Sequence, residues 1–321
     1  DVRPLHGNQD SYYESEPVEL DLQALYDFTT PHTFTNCDAS GRDGPTLLQC
    51  KSTYSSKSWA SDPALFNMTT PGIQEWTVPK DGSYKMELWG APSFAQSGDN
   101  YGKGAKIIGT FQLESGQIIS ILVGQKPIGG QYAWGGGGGT FVWIKNSTTP
   151  LIIAGGGGGS NNGGGNNSTG IANGSANQLG KYGTTQVTTG HGGDDGGGEW
   201  AGGGGAGWYS NGVSSARPGA RFTGFGGQRP LEGGRGGGAS DQPNYPGDFY
   251  YGGFGGGGGS GVHMGGGGGG YTGGEGANYS DKRPDTLGGG GGSYNSGTDQ
   301  ENVGGAVGGA DTGRVVITPI L

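Results

Sequence analysis

The densest group of side chains with cation-binding chemistry lies in the segment HGGDDGGGEW. It contains His191, Asp194, Asp195 and Glu199. Carboxylate oxygens and imidazole nitrogens are common ligands of divalent cations. The glycines between these residues fix no coordination geometry, however, so the favoured interpretation is a solvated acidic loop. We expect no metal and no cofactor.

Catalytic chemistry finds little support elsewhere in the chain. The four histidines share no neighbourhood with a nucleophile; they are His6, His32, His191 and His263. No Gly-Lys is followed by Ser or Thr, which excludes a Walker phosphate loop. Many glycine runs match G-x-G-x-x-G, but the acidic ribose partner and the following helix of a dinucleotide site are missing. Arg235, in EGGRGGG, is a single copy in an acidic chain and is expected to be structural. Because none of these residues forms a catalytic arrangement, we predict that the protein is not an enzyme.

The chain contains two cysteines, Cys37 and Cys50, which lie 13 positions apart. Two cysteines and four histidines are too few for a metal cluster. One disulfide is the simplest interpretation, with a stabilising effect of about 2–4 kcal/mol. Two free buried thiols are the alternative.

Sequons for N-glycosylation are consistent with an oxidising compartment. Six match N-x-[ST], namely Asn67, Asn146, Asn166, Asn167, Asn173 and Asn278. The chain begins DVRPLHGNQD without an initiator methionine, as a processed protein would. The longest apolar run, IISILV, is far shorter than a membrane span. We therefore expect a secreted, extracellular glycoprotein with no membrane span in this chain.

Charge is unevenly distributed along the chain. The formal net charge is −9 and the pI is about 4.8, which disfavours nucleic acid and anionic membranes as partners. The first 28 residues contain seven acidic residues and one basic residue, Arg3. Residues 1–18 show no apolar periodicity and are predicted to form an acidic N-terminal arm.

The elements that must position any functional group are predicted to be β-strands. Tyr84, Met86 and Leu88 alternate with polar neighbours in SYKMELWG, the period of a half-buried strand. No stretch shows a convincing helical period. The strands are LDLQALYDF, HTFTNC, GIQEWTVP, SYKMELWG, AKIIGTFQL, GQIISILVG, GTFVWIK, TPLIIA and, at 313–319, GRVVITP. The predicted organisation is an all-β sandwich formed by 19–154 and 313–321, interrupted by a glycine-rich insertion at 155–312.

Glycine, at 81 residues, is the main material of the insertion. Its runs lack the period of collagen and the Ala or Ser alternation of silk. A polyglycine segment is expected to be ordered only if it forms an extended helix with three residues per turn. Several such helices must then lie side by side and hydrogen-bond to one another. In that arrangement 265–270 spans about 19 Å, and bulky substitution at Gly267 costs more than at Gly297. Aromatic residues beside the runs would supply the missing burial: Trp134, Trp200, Trp208, Phe254 and Tyr271.

The segment TFTNCDASGRDGPTLLQC (33–50), with YKMELWGA, ILVGQ, PLIIAGGGGG and GGGGGGYTGG, resembles a known family. It is similar to the glycine-rich extracellular domain of the anaplastic lymphoma kinase and leukocyte tyrosine kinase receptors. The resemblance implies a TNF-like, jelly-roll type β-sandwich with an inserted bundle of polyglycine II helices. It also implies that Cys37 pairs with Cys50. Further cysteines of the family's glycine region are missing here.

Two main functions are compatible with these features. The first is a structural protein that assembles with itself into extracellular filaments or matrix. Its arm would add to a neighbour's exposed strand edge through Tyr12 and Tyr13, unless the arm is simply solvated. The second is the ligand-binding ectodomain of a receptor tyrosine kinase, which the resemblance associates with a small basic protein ligand. A surface- or ice-binding protein is a third interpretation.

Overall fold

The computed structural model describes residues 30–94, 101–128, 133–160, 170–181, 188–198, 200–215, 223–239, 250–278, 287–306 and 312–320. The arm at 1–18, with Tyr12 and Tyr13, and the strand predicted at 20–28 lie outside this part of the chain. So do His6, Asn166, Asn167 and Glu199. All statements below concern the described residues.

The described chain is mostly β-sheet with little helix. Its elements are β1 His32–Phe34, α1 Leu47–Thr53, α2 Ser58–Ser61, β2 Phe66–Thr70, β3 Ile73–Thr77, β4 Gly82–Trp89, β5 Lys106–Leu113, β6 Ile118–Leu122, β7 Thr140–Ile144, β8 Ile152–Ala154, a 3₁₀ turn Pro230–Glu232, β9 Tyr294–Asn295, β10 Thr298–Val303 and β11 Arg314–Ile320. Within the described residues a five-stranded sheet has the order β1-β11-β4-β5-β10, and a six-stranded sheet has the order β2-β3-β6-β7-β8-β9. All of the pairings are antiparallel.

The core lies between the two sheets. Tyr84, Met86 and Leu88 of β4 are buried, as the alternation predicted. They belong to one apolar cluster with Ile119 and Ile121 of β6. Because the side chains of a strand point alternately to the two faces, the intervening residues of β4 form the outer face of the five-stranded sheet.

Strands β6, β7 and β8 of the six-stranded sheet are buried on both faces, which explains why they are apolar at consecutive positions. On β8, Ile152 belongs to the cluster between the sheets. Its neighbour Ile153 belongs to a second cluster, which also contains Trp208, Phe254 and Tyr271. The glycine-rich region therefore covers the second face, and its aromatic residues supply the side chains that the glycines lack.

The glycine runs are buried and hydrogen-bonded to one another. In 265–270 the donors follow a period of three: Gly266 donates to Trp134 O and Gly269 to Gly137 O, whereas Gly267 donates to Gly203 O and Gly270 to Ala206 O. The backbone N–H of Gly268 donates to Gly289 O. One run thus contacts three neighbouring segments through successive N–H groups, while its carbonyls accept from further segments.

The segments approach so closely that side chains do not fit between them. A Cβ atom built on Gly267 would overlap the carbonyl group of Gly274, and one on Gly268 would overlap that of Gly156. The contacting atoms belong to the backbone, which cannot rotate away as a flexible side chain would.

Several elements differ from the sequence prediction, including α2 and β2, which lie in segments with no predicted helix or strand. Helix α1 exists and has a capping box, in which Thr46 accepts from Gln49 N and the Gln49 side chain accepts from Thr46 N. Strands β9 and β10 lie inside the stretch 155–312 that was assigned to the insertion. That Gly267 is more sensitive than Gly297 stays a prediction, and Gly297 is itself crowded, because a Cβ there would lie 2.8 Å from the Phe111 ring.

We predict that Gly267→Ala destabilises the protein strongly, whereas Gly82→Ala does not. A Cβ on Gly82 would meet its nearest atom, Tyr84 Cε2, at 3.9 Å, an ordinary contact. Overpacking at Gly267 should cost about 1–3 kcal/mol or more, against less than about 0.5 kcal/mol at Gly82. Thermal unfolding of the two variants and the parent measures the difference. Equal melting temperatures would contradict the packing described.

Candidate interaction surfaces

A disulfide-closed loop connects the sandwich to the glycine region. Cys37 and Cys50 form a disulfide and are buried. Between them, Gly41 O accepts from Phe254 N at 2.7 Å, and Arg42 O accepts from Gly236 N at 2.9 Å. The guanidinium of Arg42 also lies 4.4 Å from the centre of the Tyr251 ring. The loop, including the motif GRDG, thus holds the two parts of the fold together.

The residues that flank this loop, Thr35 and Tyr54, are joined to the core by a buried hydroxyl. Tyr54 Oη donates to Gln74 Oε1 at 2.9 Å and accepts from Thr35 N at 2.8 Å. Gln74 Nε2 in turn donates to Thr35 O. Burial raises the pKa of Tyr54 above its ordinary value. Arg235, singled out in the sequence, forms an exposed ion pair with Asp43 at 2.6 Å.

Two edge strands of the described sheets have features that discourage pairing with another chain. All six residues of β10 are exposed, and they include Asp299 and Glu301. Its register with β5 shifts between Thr298 and Glu301. Strand β2, at the edge of the other sheet, also has a register shift. Charges and bulges are the usual devices that protect such edges.

The outer face of the five-stranded sheet has an aromatic ring flanked by two cations. Trp89 of β4 lies opposite Arg314 of β11 and Lys106 of β5. The Arg314 guanidinium lies 4.0 Å from the centre of the Trp89 ring, and Lys106 Nζ lies 5.3 Å from it. Glu87 pairs with Lys85 at 2.7 Å and is 3.9 Å from Lys106. We call these five residues the Trp89 face.

A second aromatic surface lies on the glycine region. Tyr271 packs against Tyr294 with ring centres 4.7 Å apart, and against Tyr209 at 6.2 Å. Tyr209 is 45% exposed, whereas Tyr271 is buried. Burial, followed by the hydrogen bond and the charge interaction with Tyr209 and the charge of Tyr294, raises the pKa of Tyr271 to about 12.

Of the four residues of the predicted acidic loop, the structure describes His191, Asp194 and Asp195. In the described part of the chain, no three His, Cys, Asp or Glu residues form a group that could hold a metal ion. His191 lies beside Tyr209, whereas His32 packs on Trp59 in the core and His263 on Trp200. The three described histidines are thus in three separate environments.

The described sequons differ in accessibility. Asn146 is exposed in the turn between β7 and β8, with φ 67°. Asn173 is partly buried, and its Oδ1 accepts from Lys103 N. At the Asn67 sequon, Asn67 Oδ1 accepts from Met68 N and the Thr69 hydroxyl donates to Glu75. Asn278 is partly buried and lies near Gly197 and Gly198.

Comparison with known proteins gives a partial similarity. No protein-family model matches the chain. Over 114 residues the chain is 36% identical to the leukocyte tyrosine kinase receptor of Mus musculus. The matched segment covers 33% of this chain and 12% of the receptor. This similarity supports a relation to the receptor family that the motifs indicated. No described helix is long and apolar enough to cross a membrane.

We predict that Asn146 is glycosylated when the chain passes through a eukaryotic secretory pathway. Its side chain projects from an exposed turn, whereas the amide of Asn173 is held in a hydrogen bond. Asn146→Gln should remove one glycan from the intact mass, and Asn173→Gln, the matched control, should not change it. Loss of mass in the Asn173 variant alone would refute this assignment.

Stability should fall as the pH rises from about 10 towards 12, because Tyr271 ionises more readily in the unfolded chain than in the folded one. The stabilisation that neutral Tyr271 provides is complete below the pKa of Tyr271 in the unfolded chain. It is lost as the pH approaches the pKa of Tyr271 in the folded chain. Tyr271→Phe should reduce this loss, whereas Tyr101→Phe, outside the cluster, should behave as the parent. Melting temperatures across this pH range provide the measurement. An unchanged alkaline loss in Tyr271→Phe would argue against the shift.

Proposed function

We propose that this protein is a non-enzymatic extracellular structural protein whose copies assemble into filaments or matrix. The observation that carries the proposal is the continuous hydrogen-bonded glycine block that packs on the sandwich. Such a block is a rigid body with few side chains inside it, so its chemical groups are displaced to its outer surfaces. Copies of a protein with such a rigid block can assemble into filaments through contacts between their outer surfaces.

In this proposal the glycine segments are polyglycine II helices inserted into a TNF-like, jelly-roll type sandwich. The donors of 265–270 support the helix type, because a period of three is the repeat of a left-handed helix with three residues per turn. The two antiparallel sheets support the sandwich. The Cys37–Cys50 disulfide is compatible with an extracellular location.

The proposed connector is the acidic arm, residues 1–18. An extended arm that binds a neighbouring copy makes a head-to-tail contact. Such contacts produce open chains of copies unless the rotation from one copy to the next closes a ring. Tyr12 and Tyr13 are the side chains most suited to dock in the neighbour, since they are the large aromatic residues of the arm.

A ligand-binding ectodomain is the second candidate, and it rests on the partial identity to the leukocyte tyrosine kinase receptor. The partner in that case is a small basic protein, for which the exposed carboxylates of β10 offer a complementary surface. The chain would then be monomeric without its ligand.

Self-association distinguishes the two functions. Sedimentation velocity and negative-stain microscopy of the full chain should show larger species as concentration rises, and deletion of residues 1–18 should abolish them. A chain that remains monomeric at every concentration would contradict the structural function. Equal assembly of the truncated chain would exclude the arm as connector.

A further inference from the structure

We propose that the Trp89 face is the receiving surface for the acidic N-terminal segment, residues 1–28, of a second copy of this chain. The inference rests on the proposed assembly function and names the surface that the arm contacts. It also extends the occupant from the arm at 1–18 to residues 1–28, in place of the sandwich strand expected at 20–28. The mode of contact changes as well, from addition to a strand edge to docking across the outer face of a sheet.

The geometry of the face supports an anionic, extended occupant. Trp89 is partly exposed between Arg314 and Lys106, one on each neighbouring strand. Glu87 is engaged by Lys85 and lies near Lys106. Arg314, by contrast, forms no ion pair among the described residues. A guanidinium in this setting is suited to bidentate binding of a carboxylate.

Charge identifies the occupant within this chain. Residues 1–28 contain seven carboxylates and one arginine, and the stretch YYESEPVELDLQ combines four of the carboxylates with aromatic and aliphatic residues. Such a segment offers carboxylates to Arg314 and Lys106 and apolar side chains to the Trp89 ring. Fully extended, 28 residues reach about 90 Å, enough to cross to a neighbouring molecule.

The same charges disfavour the strand edge at β10 as the receiving site. Asp299 and Glu301 would repel an acidic segment laid along that strand. Glu301 pairs with Ile108, and Ile108 pairs with Glu87, so Glu301 lies on the same outer face as Trp89. The side of this face at Arg314, on β11, is therefore the better complement.

The test compares charge reversals in the full-length chain by sedimentation velocity. Arg314→Glu should weaken self-association by about tenfold or more, and Trp89→Ala should also weaken it. Lys57→Glu makes the same charge change at the start of α2, which packs on β2, and should leave association unchanged. Melting temperatures verify that each variant folds. High salt should weaken association of the parent, since the contact is electrostatic.

A rescue variant makes the assignment specific. Glu14→Lys and Glu16→Lys, added to Arg314→Glu, should restore part of the association, because a lysine of the segment can then pair with the carboxylate at position 314. If folded Arg314→Glu and Trp89→Ala associate as the parent does, the inference is wrong while the assembly function stands. If the parent never associates, the assembly function itself fails. If Arg314→Glu only changes how readily a protease cleaves residues 1–28 of a monomer, the segment docks on its own chain and the inference is overturned.

Discussion

The close approach of glycine backbones is the constraint on which the rest of the structure depends. Where a Cβ on Gly267 or Gly268 would overlap a carbonyl of the next segment, only glycine is compatible with the observed hydrogen bonds. Glycine loses more conformational entropy on folding than any other residue, and it buries no side chain in return. The hydrogen bonds alone offset little of that cost, so the glycine block needs an apolar surface to pack on.

That surface is the second face of the six-stranded sheet. Ile153, Phe141 and Trp143 project from the sheet, and Trp208, Phe254 and Tyr271 project from the glycine region to meet them. The Trp208 indole also donates to Thr148 O in the turn after β7. The sheet thus supplies the apolar surface that core side chains supply in an ordinary domain. The disulfide-closed loop holds the sheet and the glycine region together.

In the described glycine runs the interior consists of backbone, so the side chains that can contact other molecules lie outside these runs. The Trp89 face, the tyrosine surface around Tyr209 and the Asn146 turn are all on the sandwich or on the outer layer of the glycine region. A rigid interior with chemically distinct surfaces suits a protein that acts through contacts with other molecules. Both proposed functions, assembly and ligand binding, are of that kind.

The sequence by itself determined those features that depend on residues close together in the chain. The alternation in β4 predicted its buried face, and the cysteine count favoured the Cys37–Cys50 disulfide. A short helix was missed, although TLLQ at 46–49 has the capping-box pattern, because one turn of apolar residues gives no clear period. Only the tertiary structure decided which segments each glycine run contacts, since a residue without a side chain has no pattern that specifies its partner. It also decided the Trp89 face, because Trp89, Lys106 and Arg314 come from three strands that are adjacent only in the folded sheet.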